Sequence, residues 1–415
     1  MIHPHITRSL LILLFSLLFF SLSGLFGLSI PAPFVSAHSI TTHSPRSLRS
    51  LHSSRPSQVN DGLFGATCVI ASNCWAVGSH TSGQSRPKVL IEHWDGSAWT
   101  FVPGATPQGT QTVSLSSVSC PDATTCMAVG NYLKLGDFVN LSEIWHGSSW
   151  SLIPTPNAPD SRTDNLEGVS CTSATNCIAV GDAYSFSQQR VEAIANRWDG
   201  TRWSRMSIQN PGTDGNQLFA ISCPDTAFCM ATGTTSNRAG TQFTLTERWD
   251  GTAWSVVASP NPPRTVLDAL FGISCFSASA CVSVGEYTTS NTQPFLTLAI
   301  GWNGTRWSLQ TTPNRSGSSD DDLGGVSCTS ATTCMATGTA AITGVVTLAE
   351  IWKGSTWSIV PSPNAPGSLS ALASVACATA SKCVAVGDNF NNNSSLAFAE
   401  SWNGTRWFIE PVPVP

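Results

Sequence analysis

The sequence predicts an all-β chain folded as a seven-bladed β-propeller, with four antiparallel strands and one disulfide in each blade. Three observations predict it. A unit of about 50 residues recurs seven times, each unit carries Cys-x5-Cys followed by Trp-x-Gly-x-x-Trp, and no helical period appears anywhere in the repeats. Four short strands per unit, repeated at that period, mark a propeller. A solenoid is the structural alternative, but its repeats usually run shorter or helical.

The cysteines set the frame. The pairs are Cys68/Cys74, Cys120/Cys126, Cys171/Cys177, Cys223/Cys229, Cys275/Cys281, Cys328/Cys334 and Cys377/Cys383, which uses all 14 Cys of the chain. Repeats therefore start near residues 63, 115, 166, 218, 270, 323 and 372. Zinc is disfavoured, because Cys-x5-Cys is not a usual ligand spacing and no second pair or His follows at a fixed distance. Seven local bridges are expected, each clamping the first two strands of a blade and each contributing about 2 kcal/mol. No metal and no cofactor is expected.

The fourth copy shows the strands in order. Residues 218–223 alternate as a first strand, 229–233 form a second, and 242–249 alternate with period two as a half-buried third. Asp250-Gly251 is a hairpin turn, since glycine accepts the positive φ such turns need. Residues 254–258 make the fourth strand, and Ser-Pro-Asn-Pro-Pro then breaks the pattern. The sequence leaves open whether the blade frame follows the repeat or whether the two termini share one blade to close the ring.

The Trp pairs are Trp94/Trp99, Trp145/Trp150, Trp198/Trp203, Trp249/Trp254, Trp302/Trp307, Trp352/Trp357 and Trp402/Trp407. Alternation puts both members of a pair on one sheet face, where large indoles fill the space between blades. Trp75 stands where the other copies have Met, Ile or Val, and is expected in the core.

The N-terminal part is different in kind. Residues 1–37 combine a short basic start, an apolar run over about 10–30 and a small-residue site at Val35, Ser36 and Ala37, which reads as a secretory signal peptide. The run is also long enough to anchor the chain if left uncleaved, since about 20 apolar residues span a bilayer. Residues 38–62, rich in Ser and Arg, read as a flexible linker, with His38, His43 and His52 as solvated tail residues. Residues 63–415 are the propeller. Secretion to the exterior, with or without retention at the cell surface, is the expected location, and membrane contact is expected only through the N-terminal segment.

Charge narrows the partners. Only 11% of residues are charged and the net charge is -5, which argues against nucleic acid. The most suggestive polar position lies two residues before the first Trp: Glu92, Glu143, Glu247, Glu350 and Glu400, with Asn196 and Ile300 in the other two copies. One reading makes these carboxylates structural acceptors for backbone amides of the adjoining blade. The other makes them sugar-binding sites together with nearby arginines, Arg197 and Arg248 above all. Ile300 substitutes cleanly in one copy, which favours the structural role.

No catalytic set is visible. His80, His93 and His146 show no Ser, Asp or Cys partner arrangement, and every Cys is already assigned. Asp320-Asp321-Asp322 lacks the alternating oxygen spacing of a calcium loop and reads as a solvated turn between blades.

The repeat resembles kelch-type propellers, the fold of the galactose oxidase central domain. Val77-Gly78, Val129-Gly130, Val180-Gly181, Thr232-Gly233, Val284-Gly285, Thr337-Gly338 and Val386-Gly387 stand in for the kelch Gly-Gly, and Trp-x-Gly-x-x-Trp for its later aromatic and Trp. One Gly instead of two and the added Cys pair depart from that family. The Trp-Asp-Gly-x-x-Trp of copies one, three and four is similar to repeats of fucose-binding fungal propeller lectins. More broadly the unit resembles repeats of uncharacterised secreted bacterial proteins. The expectation is a monomeric, non-catalytic binding module for extracellular glycan or protein. The alternatives are a polysaccharide hydrolase or lyase and a protein-interaction scaffold.

Overall fold

The computed structural model describes residues 59–415, apart from 84, 291, 392 and 393. The expected signal segment and most of the expected linker lie outside the described residues. In blade one the four strands are Val59–Ile70, Asn73–Ser82, Lys88–Trp94 and Trp99–Phe101, paired antiparallel in chain order. The first of them starts at Val59, so residues 59–62 belong to the blade rather than to the linker expected to reach 62. Six further blades follow with the same order, over residues 112–152, 164–206, 215–256, 267–310, 321–359 and 369–410. The blade frame thus follows the repeat, and each blade is built from contiguous chain.

The seven first strands stand next to one another around the ring, and the strand of blade one meets that of blade seven. Closure uses the same contacts as the internal interfaces. A parallel bridge joins Asn60 to Ser395 across the seam, just as Val191 joins Gly215 between blades three and four. All seven expected disulfides are formed, and none of the cysteines in the described residues is free.

Seven hydrophobic clusters fill the seven interfaces, and each Trp pair packs against the preceding blade. Trp75 is also buried and lies 4.9 Å, centroid to centroid, from Trp145 of blade two. The Asp-Gly and Asn-Gly turns form as expected: in blade four Asp250 Oδ1 accepts from the Thr252 and Ala253 amides, with Gly251 at φ 94°.

One regular feature has no sequence forecast. Every first strand carries a bulge after its Leu, so that one extra residue, for example Phe219 between Leu218 and Ala220, has no partner on the second strand. The bulge pushes a carbonyl of the first strand into the second. A Cβ placed at Gly78, Gly130, Gly181, Gly233, Gly285, Gly338 or Gly387 would stand 1.8–2.1 Å from that oxygen. The single Gly of the Val/Thr-Gly motif is therefore a close-approach residue, and its φ lies outside the left-handed region. Next to the bulge, neighbouring first strands touch: a Cβ at Gly65, Gly272 or Gly325 would come within 2.7–2.9 Å of the next blade's backbone. The equivalent residues elsewhere are the small Ser117, Gly168, Ala220 and Ser374.

The blades are also tied by one recurring hydrogen bond. At five of the seven interfaces the amide of the first Cys donates to the Ser just before the first Cys of the preceding blade, at 2.9–3.0 Å, as in Cys275 to Ser222. At the closing seam the acceptor position is Ala376, which offers no hydroxyl. Ala376→Ser is expected to stabilise the ring by about 1 kcal/mol, the net value of one hydrogen bond. Urea unfolding of the oxidised chain checks this, and an unchanged or lowered midpoint would count against a hydroxyl at position 376 completing the bond to the Cys68 amide.

Candidate functional site

The five recurrent glutamates are all fully buried, at 0% exposure, on the sheet face that meets the preceding blade. Their partners follow from the connector between blades. The relevant connector residue lies six positions after the second Trp. Where it has an amide, the carboxylate accepts it: Ala105 donates to Glu143 Oε2 at 2.8 Å and Gln209 to Glu247 Oε2 at 3.3 Å. Elsewhere that residue is proline, which has no N–H.

Each proline is met differently. Opposite Pro156 stands Asn196, which donates its own amide to the Pro156 carbonyl at 3.4 Å. Opposite Pro260 stands Ile300, which needs no donor. Before Pro363 the Ser362 hydroxyl donates to Glu400 at 2.8 Å. Opposite Pro313 and Pro413, Glu350 and Glu92 keep both carboxyl oxygens unpartnered. A buried carboxylate without donors is costly, and the acid takes up a proton instead.

Burial accordingly pushes Glu143 and Glu247 up to about 7, with the backbone amide opposing. Burial takes Glu400 to about 8 against the Ser362 hydrogen bond. Glu92 and Glu350 also rise to about 8 through burial, reinforced by the charges of Asp61 and Asp321.

The two arginines lie elsewhere. Arg197 is exposed and donates to Asn176 Oδ1 at 3.2 Å, and Arg248 is half-buried. Both alternate with the Glu position and so face the following blade, whereas the glutamates face the preceding one. The fold therefore does not bring carboxylate, arginine and indole together at an open surface. A sugar would reach the glutamates only through an opened interface.

A second polar position, seven residues before the first Cys, has no forecast in the sequence reading. It holds Asp61, Val113, Asp164, Asn216, Asp268, Asp321 and Ser370, all buried. Most of these groups accept from the connector entering the blade: Asp164 from the Ala158 amide at 2.6 Å, Asn216 from Gly212 at 2.7 Å, Asp321 from Arg315 at 2.6 Å and Ser370 from Ala365 at 3.2 Å. The fixed offset from Cys was the available signal, blurred by four different residue types.

The structure extends one sequence reading and corrects two. The disulfides clamp single blades as expected, and they reach further than that. The second Cys of every pair also belongs to an interface between blades: Cys74, Cys126 and Cys177 are 1%, 0% and 2% exposed, and Cys229, Cys281, Cys334 and Cys383 are buried as well. The reason is register. Cys74 stands directly opposite Trp94, Cys126 opposite Trp145 and Cys177 opposite Trp198, so each sulfur shares the face of the indole and packs against the preceding blade. The second cysteines are thus part of the core, while Cys68, Cys120 and Cys171 at the other ends of their bridges stay half-buried.

The first correction is that His80 does have a carboxylate partner, since its Nδ1 lies 2.6 Å from Asp61 Oδ1 across the first two strands. The second is that Asp320-Asp321-Asp322 is not a solvated turn: Asp321 and Asp322 lie buried in a first strand. The three carboxylates accept from separate donors, Phe295 N, Arg315 N and Thr339 Oγ1, and do not converge. Among the described residues there is no group of three or more His, Cys, Asp or Glu able to hold a metal ion.

One blade departs from the others at its surface. The residue just before the first Trp faces the first Trp of the next blade. It is His93, Ile144, Arg197, Arg248, Gly301, Ile351 and Ser401 in the seven copies. Gly301 has no side chain to offer, and a groove of about 150 Å³ opens there between blades five and six. Its walls include the half-buried indole of Trp352, the Cys328–Cys334 disulfide, and the polar Asn303, Ser308, Gln310 and Ser330.

No protein-family model matches this sequence, and no curated protein does. Solved structures do. The chain is similar to YCF48 bound to a D1 peptide, with a TM-score of 0.47 and 12% identity over 84% of this chain and 94% of that one. It is similar to a PL25 ulvan lyase bound to -[GlcA(1-4)Rha3S]-, with a TM-score of 0.48 and 10% identity over 71% and 81%. It is also similar to the SapL1 lectin in complex with alpha methyl fucoside, with a TM-score of 0.41 and 12% identity over 75% and 97%.

Proposed function

We propose that this protein is a secreted, non-catalytic recognition module that binds extracellular glycan. The observation that carries the reading is where the seven blades agree and where they differ. At one end of the ring every blade ends alike, in a Cys-x5-Cys turn and a Trp-x-Gly-x-x-Trp turn. At the opposite end the turns between second and third strands run from two residues (135–136) to seven (289–295), with no shared sequence. A rigid frame presenting varied loops is an arrangement for recognition.

The seven disulfides fit an oxidising compartment. The sparse charge suits a neutral, hydroxyl-rich ligand. A hydrolase or lyase gains less support, because the recurrent carboxyls are sealed inside the interfaces. A protein partner is the second reading, favoured by exposed apolar tips at the variable end: Leu135 at 92% and Phe186 at 50% exposure.

The test is binding of the oxidised chain, as cells secrete it, to a broad glycan array. Saturable binding to one sugar class supports the proposal. Silence across the array overturns it and gives precedence to a protein partner.

A further inference from the structure

The groove between blades five and six has the chemistry of a defined site. Six of the seven inter-blade positions facing the first Trp carry a side chain, and only blade five carries glycine. Trp145, the other half-buried member of the series, is covered by the Trp75 ring at 4.9 Å. Trp352 has no such cover among the described residues. Its ring neighbour is Trp357 of its own hairpin, at 5.7 Å.

Gln310 completes the arrangement. Its Oε1 accepts the Trp357 indole N–H at 2.9 Å, which fixes the amide plane. Its Nε2 occupies the space a side chain at position 301 would take, 2.4 Å from an added Cβ. The corresponding residues of blades one to four and six are Val102, Ile153, Met206, Val257 and Val360, all apolar. Blade five has therefore exchanged an apolar seal for an oriented amide donor beside an open indole.

We infer that this groove binds one neutral pyranose ring, with the C–H face of the sugar on Trp352 and its hydroxyls on Gln310, Ser308 and Ser330. The inference rests on the glycan reading above and gives it a location. Size and charge select the ligand. Pockets for larger organic ligands run from about 300 Å³ upward, so a groove half that size holds a single ring. No charged side chain lines it, so nothing compensates the carboxylate of a uronic or sialic acid.

The experiment is calorimetric titration of the whole oxidised chain with methyl glycosides of neutral hexoses and deoxyhexoses, with methyl glucuronide as the charged comparison. Trp352→Ala removes the platform. Gly301→Arg restores the residue that blades three and four carry at this position, filling the groove while keeping a side chain the interface accommodates elsewhere. The expected result is saturable binding of a neutral glycoside, weakened at least tenfold by either variant, with the thermal midpoint of Gly301→Arg unchanged. Undiminished binding by Gly301→Arg overturns the assignment of this groove while leaving the glycan reading in place. Equal or tighter binding of the glucuronide overturns the neutral-ligand class. If the unmodified chain binds no glycoside here and no glycan on the array, both proposals fall.

Discussion

Gly233→Ala is expected to destabilise the protein by at least about 3 kcal/mol, enough to prevent folded chain from accumulating. The new Cβ would stand 1.9 Å from the Gln217 carbonyl oxygen and 2.9 Å from Leu218 Cα. Both are backbone atoms of the paired strand, so no side-chain rotation relieves the clash. Relief requires either undoing the bulge at Phe219 or separating the first two strands. Undoing the bulge shifts the register of Leu218 and Gln217 and turns a buried Leu outward. Separating the strands works against the Cys223–Cys229 bridge at the other end of the hairpin.

Gly301→Ala is the matched comparison. There the added Cβ meets only the Gln310 amide, the far end of a flexible side chain, and the cost is expected to stay below about 1 kcal/mol. Thermal unfolding of the two oxidised variants, or their yields if Gly233→Ala does not accumulate, decides the matter. Equal stability of the two would show that the bulge is not the reason for glycine at this position.

The architecture was legible in the sequence because its signals are local. A Cys pair closing a short turn, an Asp-Gly hairpin and a period-two strand each specify structure within about ten residues, and sevenfold repetition removes the ambiguity of any single copy. The bulge was not legible, because it is a property of pairing: Phe219 looks like any alternating strand residue until Gly233 is placed beside Gln217. The burial of Cys74, Cys126 and Cys177 was hidden for the same reason, since it follows from the Trp that each one faces across the sheet. The recurrent Glu was visible as a position, but its environment depends on a connector of the preceding repeat. Only with Ala105 and Gln209 placed opposite Glu143 and Glu247 does the role of proline at 313, 363 and 413 become apparent. The groove is the hardest case. Its cause is a missing side chain at Gly301, and an absence acquires meaning only when its neighbour, Trp352, is known.

Raising the pH is expected to loosen the ring, and Glu350 is the residue through which the effect is most cleanly measured. Its folded-state pKa is pushed up to about 8 by burial and by the neighbouring Asp321 charge, from an ordinary value of 4.5. An acid whose pKa is raised on folding binds its proton more tightly in the folded state. Its contribution is therefore fully present below the unfolded value and is lost as pH rises through the folded one. Each unit of difference corresponds to about 1.4 kcal/mol, so Glu350 alone should withdraw on the order of 4 kcal/mol between pH 4.5 and 8. Glu92 and Glu400 act in the same direction over the same window, and Glu143 and Glu247 over a slightly lower one. The exposed Asp199 and Asp250 of the hairpin turns are held near 2 by hydrogen bonds to Thr201 and Thr252 and act oppositely, losing their contribution only in strong acid. Stability should thus be highest in mildly acidic solution and fall steadily toward higher pH. Glu350→Gln keeps the shape of the side chain and removes the ionisation. Its melting temperature is expected to match that of the unmodified chain near about pH 5 and exceed it at about pH 9, the gap opening between those values. Parallel melting curves across the whole range would mean that Glu350 ionises freely in the folded ring, and that its interface admits water or a counter-charge.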